Sequence, residues 1–336
     1  MRRAALVLLV ALLAGCGGTT VVHEPTLVVT PGQAPERSPQ TPAGPTGGVR
    51  IAVVTHGQAS SSFWAIVRNG VEAAARQMDV VVSYRAPDVY SVERMKAMID
   101  QAIATRPDGL VVSIPEPGVA PAIRRAVRAG IPVVSINSGS NIYRRLGVLA
   151  HIGQPEGRAG LEAGRRLVAA GVHRALCVNQ QIGNVGLDAR CRGLARAMRG
   201  AGGAARVLGV DDQSMATPRR IADAVRKGDI DGVLALNSIS GIQSVQGVRA
   251  IGRSDVVKVA TFDLGPDVLR AVRARQLLFA VDQQAYLQGY LPIVLLTERA
   301  RYGLFPAQGD VLPTGPNFVT ARDAGKAIEL SKRSIR

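Results

Sequence analysis

Short apolar runs alternate with amphipathic runs along most of the chain, and each apolar run ends on a polar residue. The first run, 49–55, passes through a polar turn to Phe63 and Trp64 at the start of a predicted helix. Further predicted strands are 79–84, 110–113, 131–137, 175–179, 206–210, 231–237 and 256–263, and further predicted helices are 91–105, 119–129, 187–199 and 218–227. This alternation predicts parallel sheets that are covered by helices on both faces.

The strand pattern occurs twice, once in each half of the chain, and in both halves two apolar strands stop on a polar residue. Parallel strands place their carboxyl ends along one edge of a sheet. Ser113 and Asn137 are therefore predicted to line one lobe, and Asn237 and Asp263 the other. Two lobes that face each other in this way predict a cleft with polar walls.

The first residues have the basic start and short apolar run of a secretory signal, and the run is too short to span a bilayer as a helix. It ends in Leu-Ala-Gly-Cys16, which resembles the bacterial lipobox, where the cysteine is lipidated and becomes the new N-terminus. An ordinary signal with an incidental cysteine is the alternative. We expect an exported protein, anchored by lipid to the outer face of the cytoplasmic membrane or periplasmic. Residues 17–48 are rich in Pro, Gly and Thr and predict an extended linker.

Basic residues outnumber acidic ones, 41 to 25, and the formal net charge is +16. Such an excess can indicate nucleic acid or an anionic membrane as a partner. Here the basic residues are scattered in pairs on predicted helices, without a nucleic-acid-binding motif, which favours solvated faces over attraction to an anionic cell surface.

Motifs of dinucleotide sites, phosphate loops, zinc proteases and serine hydrolases were not found, and the four histidines lack metal-ligand spacing. His56 and His151 lie near strand ends, where a structural histidine is the favoured interpretation. We therefore expect no enzymatic activity, no cofactor, no metal and no nucleic-acid partner.

Several stretches, in their order and spacing, resemble the ribose/galactose-type solute-binding proteins of sugar ABC transporters, which have the periplasmic-binding-protein type I fold. The resemblance covers 49–320, and its stretches are Ser62-Phe63-Trp64 with Gly70, Asn137, 184–193, Asn237, Phe262-Asp263 and 279–289. It implies two Rossmann-like α/β lobes joined by a three-crossing hinge, with a ligand cleft between them. The implied lobes are 49–152 plus 284–312 and 153–283 plus 313–336, with crossings near 152–153, 283–284 and 312–315.

A sugar has flat apolar faces and a rim of hydroxyls, so its site needs an aromatic platform and charged or amide side chains. By resemblance, Phe63 and Trp64 would form the platform, although either ring could equally belong to the core. Arg190 would donate hydrogen bonds to two hydroxyl oxygens, and its alternative role is a surface charge on a helix. Asp263 would accept from two hydroxyls, and its alternative role is a helix N-cap. The complete implied set is Phe63, Trp64, Ser113, Asn137, Asn184, Arg190, Asn237, Asp263 and Gln283.

Two cysteines, Cys177 and Cys191, remain once Cys16 is lipidated. An exported chain could join them, provided that their Cβ vectors converge. A disulfide and a pair of buried thiols are equal alternatives at this point.

The leading hypothesis is a lipid-anchored, monomeric receptor that binds a monosaccharide or related small polyol and delivers it to an ABC permease. A signalling molecule or a nucleoside is the alternative ligand, because Asn137 replaces a carboxylate found in many relatives and 211–215 offers no aromatic ring. An exported glycan-modifying hydrolase is the alternative from another class. It would need a second carboxylate to act with Asp263.

Overall fold

The computed structural model describes residues 48–57, 61–306, 309–331 and 335. The predicted signal peptide, Cys16 and all of the predicted linker except Gly48 lie outside the described residues. The strands are β1 Arg50–Val54, β2 Val81–Arg85, β3 Gly109–Ser113, β4 Val133–Ile136, β5 Ala150–Gly153, β6 Arg174–Asn179, β7 Ala204–Gly209, β8 Gly232–Ala235, β9 Lys258–Phe262, β10 Ala280–Asp282, β11 Val311–Pro313 and β12 Asn317–Val319. The helices are α1 Ser62–Met78, α2 Val92–Ala104, α3 Ala120–Arg128, α4 Glu156–Ala169, α5 Val185–Gly200, α6 Thr217–Lys227, α7 Ser238–Ala250, α8 Pro266–Arg273, α9 Ala285–Tyr302 and α10 Ala324–Ser331.

The strands form two six-stranded sheets, one in each lobe. The first lobe has the order β11-β5-β4-β3-β1-β2 and the second has β12-β10-β9-β8-β6-β7. Neighbouring strands are parallel throughout, except that β12 runs antiparallel to β10. The predicted fold class, two α/β lobes with helices on parallel sheets, is confirmed.

The chain passes between the two sheets after β5, after β10 and after β11. The first passage leads from β5 into α4, which packs on α5 of the second lobe. The second leads from β10 into α9, which returns to the first lobe and packs on α1. The third joins β11 to β12. Three short segments therefore connect the lobes.

The central strands are buried along their whole length, which explains why their sequences are mainly apolar, with Ser113, Ser135 and His151 as buried polar exceptions. Every residue of β3, β4, β5 and β8 is buried. Helices cover both faces of such strands, so the polar side chains there have partners inside the protein: Ser113 contacts His56, and Ser135 contacts His151. The edge strands β2 and β7 are partly exposed and mix polar with apolar residues. Each sheet separates two apolar clusters, one on either face.

Two helix pairs touch through their backbones because glycine occupies the contact. A Cβ atom at Gly289 of α9 would lie 1.9 Å from the carbonyl oxygen of Val67 in α1. A Cβ atom at Gly160 of α4 would lie 2.0 Å from the carbonyl oxygen of Arg190 in α5. Helix α9 is thus in direct backbone contact with α1, and helix α4 is in direct backbone contact with α5.

In the part of the chain that the structure describes, no helix has both the length and the apolar character needed to cross a bilayer.

Candidate ligand-binding site between the two lobes

Three of the predicted site residues follow directly on strands at the carboxyl edges of the two sheets. Asn137 follows β4 in the first lobe, and Asp263 and Gln283 follow β9 and β10 in the second. Asn137 and Asp263 both have left-handed backbone, with φ of 61° and 67°. Asn and Asp adopt this conformation more readily than other non-glycine residues, so the chain can turn sharply at these strand ends. All three side chains are buried.

Gln283 connects predicted residues of both lobes. Its Nε2 donates to Asp263 Oδ1 at 2.5 Å, and its Oε1 accepts from Asn137 Nδ2 at 3.4 Å. The same Oε1 accepts from Arg190 Nη2 at 3.3 Å. The structure therefore brings Asn137, Arg190, Asp263 and Gln283 into one hydrogen-bonded group, which we call the Gln283 cluster.

Arg190 is held by a buried carboxylate that the sequence analysis did not single out. Its Nε donates to Glu156 Oε2 at 2.5 Å, and its Nη2 donates to Glu156 Oε1 at 2.9 Å. Its Nη1 donates to the Leu236 carbonyl at 3.2 Å, and its guanidinium carbon lies 4.3 Å from the centre of the Phe262 ring. With 3% and 2% of their side chains exposed, Arg190 and Glu156 form a buried ion pair. The predicted alternative, a surface charge at Arg190, is wrong.

A small cavity of about 20 Å³, enough for a water molecule, lies against the Gln283 cluster. One part of its lining is apolar and one part is polar, and the complete lining is Phe63, Ile66, Leu264, Ala285, Asp263, Asp282 and Gln283. The apolar part comes mainly from α1 and the start of α9, and the polar part from the ends of β9 and β10. An apolar face opposite carboxylate and amide groups has the chemistry to take a small ring with hydroxyls on its rim, once the lobes move apart to admit it.

The two neighbouring aromatic residues differ in position. Phe63 lines the cavity, whereas Trp64 packs edge-on against the Phe63 and His56 rings at centroid distances of 5.2 and 5.0 Å. Both rings belong to the apolar cluster between α1 and the first sheet. Phe63 is thus in contact with the cavity, and Trp64 lies behind it.

Ser113 and Asn184 belong to a neighbouring contact between the lobes. Ser113 Oγ lies 2.8 Å from His56 Nδ1, and His56 Nε2 lies 3.4 Å from Asn184 Nδ2. Asn184 Oδ1 accepts from the Ser138 hydroxyl at 3.2 Å and also caps the N-terminus of α5. Ser138 in turn donates to Asn137 Oδ1 at 3.1 Å, which joins this contact to the Gln283 cluster.

Asn237 has a local role in the structure. Its Oδ1 accepts from the Ser240 backbone at 2.9 Å and caps α7, and its Nδ2 donates to Asp212 Oδ2 at 2.6 Å. These contacts do not join Asn237 to the Gln283 cluster, although the resemblance implies that it belongs to the ligand site.

Gln288, which the sequence analysis did not single out, links the cluster to the passages between the lobes. Its Oε1 accepts from Asn137 Nδ2 at 3.3 Å. Its Nε2 donates to the Gln283 carbonyl at 3.0 Å and to Thr314 Oγ1, in the third passage, at 3.1 Å. The site and the hinge thus share one polar network.

Burial sets the protonation of the site. It raises the pKa of Asp263 to about 6, against the opposing effects of Arg190 and Gln283. Burial also lowers the pKa of His56 to about 3 and that of His151 to about 4. Both histidines are therefore neutral near pH 7, and Asp263 is ionised. Among the described residues, no group of three or more His, Cys, Asp or Glu side chains could hold a metal ion.

Cys177 and Cys191 form a disulfide, with Cα atoms 5.7 Å apart. The bond attaches α5 to β6 at the residue next to Arg190. Of the two alternatives that the sequence left open, the structure has the disulfide.

The comparisons with known proteins agree with this architecture. Residues 51–303 match the family described as periplasmic binding protein domain. The chain is 25% identical over 309 residues to the xylose/arabinose-binding protein XylF of Sulfolobus acidocaldarius, covering 84% of this chain and 73% of that protein.

Solved structures resemble the chain over most of its length. A carbohydrate transporter from Acidothermus cellulolyticus, crystallised with myo-inositol, is 32% identical with a TM-score of 0.80, covering 86% of this chain and all of that one. A solute-binding protein of an ABC transporter from Burkholderia graminis, crystallised with D-arabinose, shares the fold at 21% identity and a TM-score of 0.74, covering 82% and 96%. The resemblance found in the sequence is confirmed, and the chain belongs to the periplasmic binding protein family.

Proposed function

We propose that this protein is an extracytoplasmic solute-binding protein of an ABC importer. It binds a monosaccharide or related small polyol between its lobes and delivers it to the permease. The observation that carries the proposal is the Gln283 cluster, where amide, carboxylate and guanidinium groups of both lobes meet beside the Phe63 ring. Relatives named for xylose and arabinose, or crystallised with myo-inositol, support this ligand class.

Three members of the cluster, Asn137, Asp263 and Gln283, can serve a sugar hydroxyl. The Asp263 carboxylate accepts from two hydroxyls, and the amides of Asn137 and Gln283 both donate and accept, as a hydroxyl requires. In the structure these groups bond to one another, so a ligand hydroxyl would exchange places with an existing partner. Such an exchange leaves no buried polar group without a hydrogen bond, which keeps the cost of binding low.

Members of this family are solute-binding proteins, and we propose that this protein performs no chemistry on its ligand. The cavity does contain a second carboxylate, Asp282, beside Asp263, which is what a hydrolase would need. Asp282 Oδ1, however, accepts from the Gln284 backbone at 2.7 Å, a contact that fixes the turn after β10. NMR spectra of a disaccharide incubated with the protein for a day should show no cleavage product.

The proposed cellular context follows from the N-terminal sequence. Export through the signal and lipidation at Cys16 would hold the protein at the outer face of the cytoplasmic membrane, with 17–48 as a linker. A monomer on such a linker could reach permease subunits embedded in the same membrane.

A calorimetric screen tests the function. Purified protein is titrated with neutral pentoses, hexoses and inositols, together with nucleosides as the alternative class. The decisive variant is Asp263→Ala, which should weaken binding by about 2–4 kcal/mol because a buried charged acceptor is lost. Asp267→Ala is the matched control, because Asp267 is 71% exposed on the following helix. Unchanged affinity in Asp263→Ala, or a screen in which no sugar or polyol binds, would contradict the proposal.

Arg190→Ala tests a different property. Removing the guanidinium leaves Glu156 buried without its partner, so the free energy of unfolding should fall by about 3–5 kcal/mol. Chemical denaturation measures this loss, and Arg199→Ala, an exposed substitution at the end of the same helix, is the control. Equal stability of the two variants would show that the ion pair is not formed in solution.

A further inference from the structure

The charges at the cavity are mostly negative. Asp263 and Asp282 line it, and none of the lining residues is basic. The nearest cation in the hydrogen-bonded cluster is Arg190, which contacts the lining through Gln283. The surface of the protein is basic, with a formal net charge of +16, so the cavity has the opposite character to the surface.

The positive charge of Arg190 is neutralised by an ion pair with Glu156. Glu156 accepts from both Nε and Nη2 in a two-pronged pair, and the Leu236 carbonyl accepts from Nη1. A guanidinium has five N–H donors. The two hydrogen bonds to the Glu156 carboxylate are charge-assisted and are therefore the strongest that Arg190 makes here. An anionic ligand would have to compete with a buried carboxylate for this cation.

The neighbouring histidines supply no replacement. Burial lowers the pKa of His56 to about 3 and that of His151 to about 4, so both rings are uncharged near pH 7. A ligand in the cavity therefore meets the carboxylates of Asp263 and Asp282 directly, and the neutralised guanidinium of Arg190 lies behind Gln283.

We propose that Glu156 determines the charge selectivity of the site: by neutralising Arg190 it restricts the ligand to uncharged or cationic polyols and excludes anionic ones, such as uronates and sugar phosphates. The inference rests on the proposed function and narrows its ligand class. Glu156 acts through Arg190 and is a positioning residue, since it also fixes the guanidinium on the Phe262 ring.

The size of the effect follows from the cost of placing like charges together in a buried site. Juxtaposed like charges cost several kcal/mol at an interface, so the uronate should bind at least about a hundred-fold more weakly than its neutral counterpart. The amino sugar should bind as well as the neutral sugar or better, because its ammonium faces carboxylates.

The experiment compares matched ligands at pH 7. The panel consists of galactose, galactosamine and galacturonate; glucose, glucosamine and glucuronate; and myo-inositol with its monophosphate. Dissociation constants are measured by calorimetry for every compound. A neutral member that binds while its anionic counterpart does not is the expected result. An anionic member that binds within a few-fold of its neutral counterpart, or that binds alone, would overturn the charge rule.

Glu156→Gln tests the residue itself. Glutamine keeps the shape and one acceptor for Arg190 but removes the negative charge. In this variant, the ratio of the dissociation constants of anionic and neutral members should fall at least about ten-fold, because one buried charge pair changes affinity by that much. Glu162→Gln is the control, because Glu162 lies on the same helix and pairs with exposed Arg158. Discrimination that is equal in both variants would remove Glu156 from this role.

The two proposals fail in different ways. If no member of the panel binds, the proposed function is wrong and the charge rule falls with it. If neutral and anionic members bind alike, the function stands and the charge rule is wrong. Circular dichroism and a melting curve establish whether Glu156→Gln is folded; if it is not, the ratio measured for the wild type still decides the charge rule.

Discussion

Ligand affinity should fall as the pH is lowered from 7 to 5, and Asp263 should be the cause. Burial raises the pKa of this carboxyl from its ordinary value of 3.8 to about 6. The ionised form accepts hydrogen bonds with both oxygens, whereas the protonated form loses one acceptor and gains a donor. A hydroxyl that donates to the carboxylate at pH 7 therefore meets a neutral acid at pH 5.

The magnitude follows from the same pKa. At pH 5, one unit below it, about nine-tenths of the carboxyl groups carry a proton, so affinity should decrease about ten-fold, or about 1.4 kcal/mol. The neighbouring histidines cannot produce this change, because burial lowers the pKa of His56 to about 3 and that of His151 to about 4. Neither titrates between pH 5 and 7 in the folded protein.

The free energy of unfolding should also depend on pH, and Asp263 should affect it in the opposite direction from His56 and His151. The raised pKa of Asp263 gives a contribution that is full below its ordinary pKa and is lost as the pH rises through about 6. The lowered pKa values of His56 and His151 give contributions that are full above 6.5 and are lost as the pH falls toward about 4 and about 3. Acidification therefore destabilises the fold through the histidines and stabilises it through Asp263, whereas it weakens binding through Asp263.

The assay is calorimetric titration of one neutral ligand at pH 7, 6 and 5, with unfolding curves at each pH to establish that the protein is folded. Asp263→Asn should bind more weakly at pH 7 and show no pH dependence over this range, since it cannot be protonated. Asp267→Asn, exposed on α8, should keep the wild-type slope. Wild-type affinity that is constant to within two-fold, or an undiminished slope in Asp263→Asn, would refute the reasoning.

Three further predictions concern single features of the chain. Replacing Cys177 and Cys191 by Ala should lower the free energy of unfolding by about 3 kcal/mol, as expected for a loop of this length, in a urea titration. Trp64, the single tryptophan, packs on the cavity-lining Phe63, so its emission should change when a ligand binds; a flat titration with a proven ligand would contradict this contact. Cys16→Ser should move the protein from the membrane fraction to the soluble fraction, and unchanged fractionation would exclude the lipid anchor.

The parts of the fold that a local signal marks could be predicted from the sequence. Each buried central strand is a separate apolar run, and the polar residue that ends it marks the sheet edge. Asp263 and Gln283 meet because the carboxyl ends of neighbouring parallel strands lie together, and Asn137 ends a strand of the other sheet, which faces them. Strands β11 and β12 contain three residues each, which is too short for a recognisable pattern.

The rest of the site depends on contacts between distant segments. Glu156 is the first residue of α4, where a glutamate normally indicates only a favourable interaction with the helix dipole. Its pairing with Arg190 depends on how α4 packs on α5. Phe63 and Trp64 are consecutive on one helix and point about 100° apart, so the sequence could not show which of them reaches the cavity. Asn237 is predicted to end a strand, but β8 ends two residues earlier, and Asn237 is the N-cap of α7, which engages its side chain.

The backbone contacts at Gly289 and Gly160 have a mechanical consequence. Helix α9 leaves the second passage and lies directly on α1, which carries Phe63, and α4 leaves the first passage and lies directly on α5, which carries Arg190. Close-packed backbone leaves no flexible side chains between these helices to absorb motion. Each pair of helices should therefore move as a rigid body, so a rotation at the second passage moves the Phe63 ring and a rotation at the first passage moves the Arg190 guanidinium. The ligand-contacting groups of each lobe would then be preformed, and closure of the lobes would change only the distance between the two sets of groups.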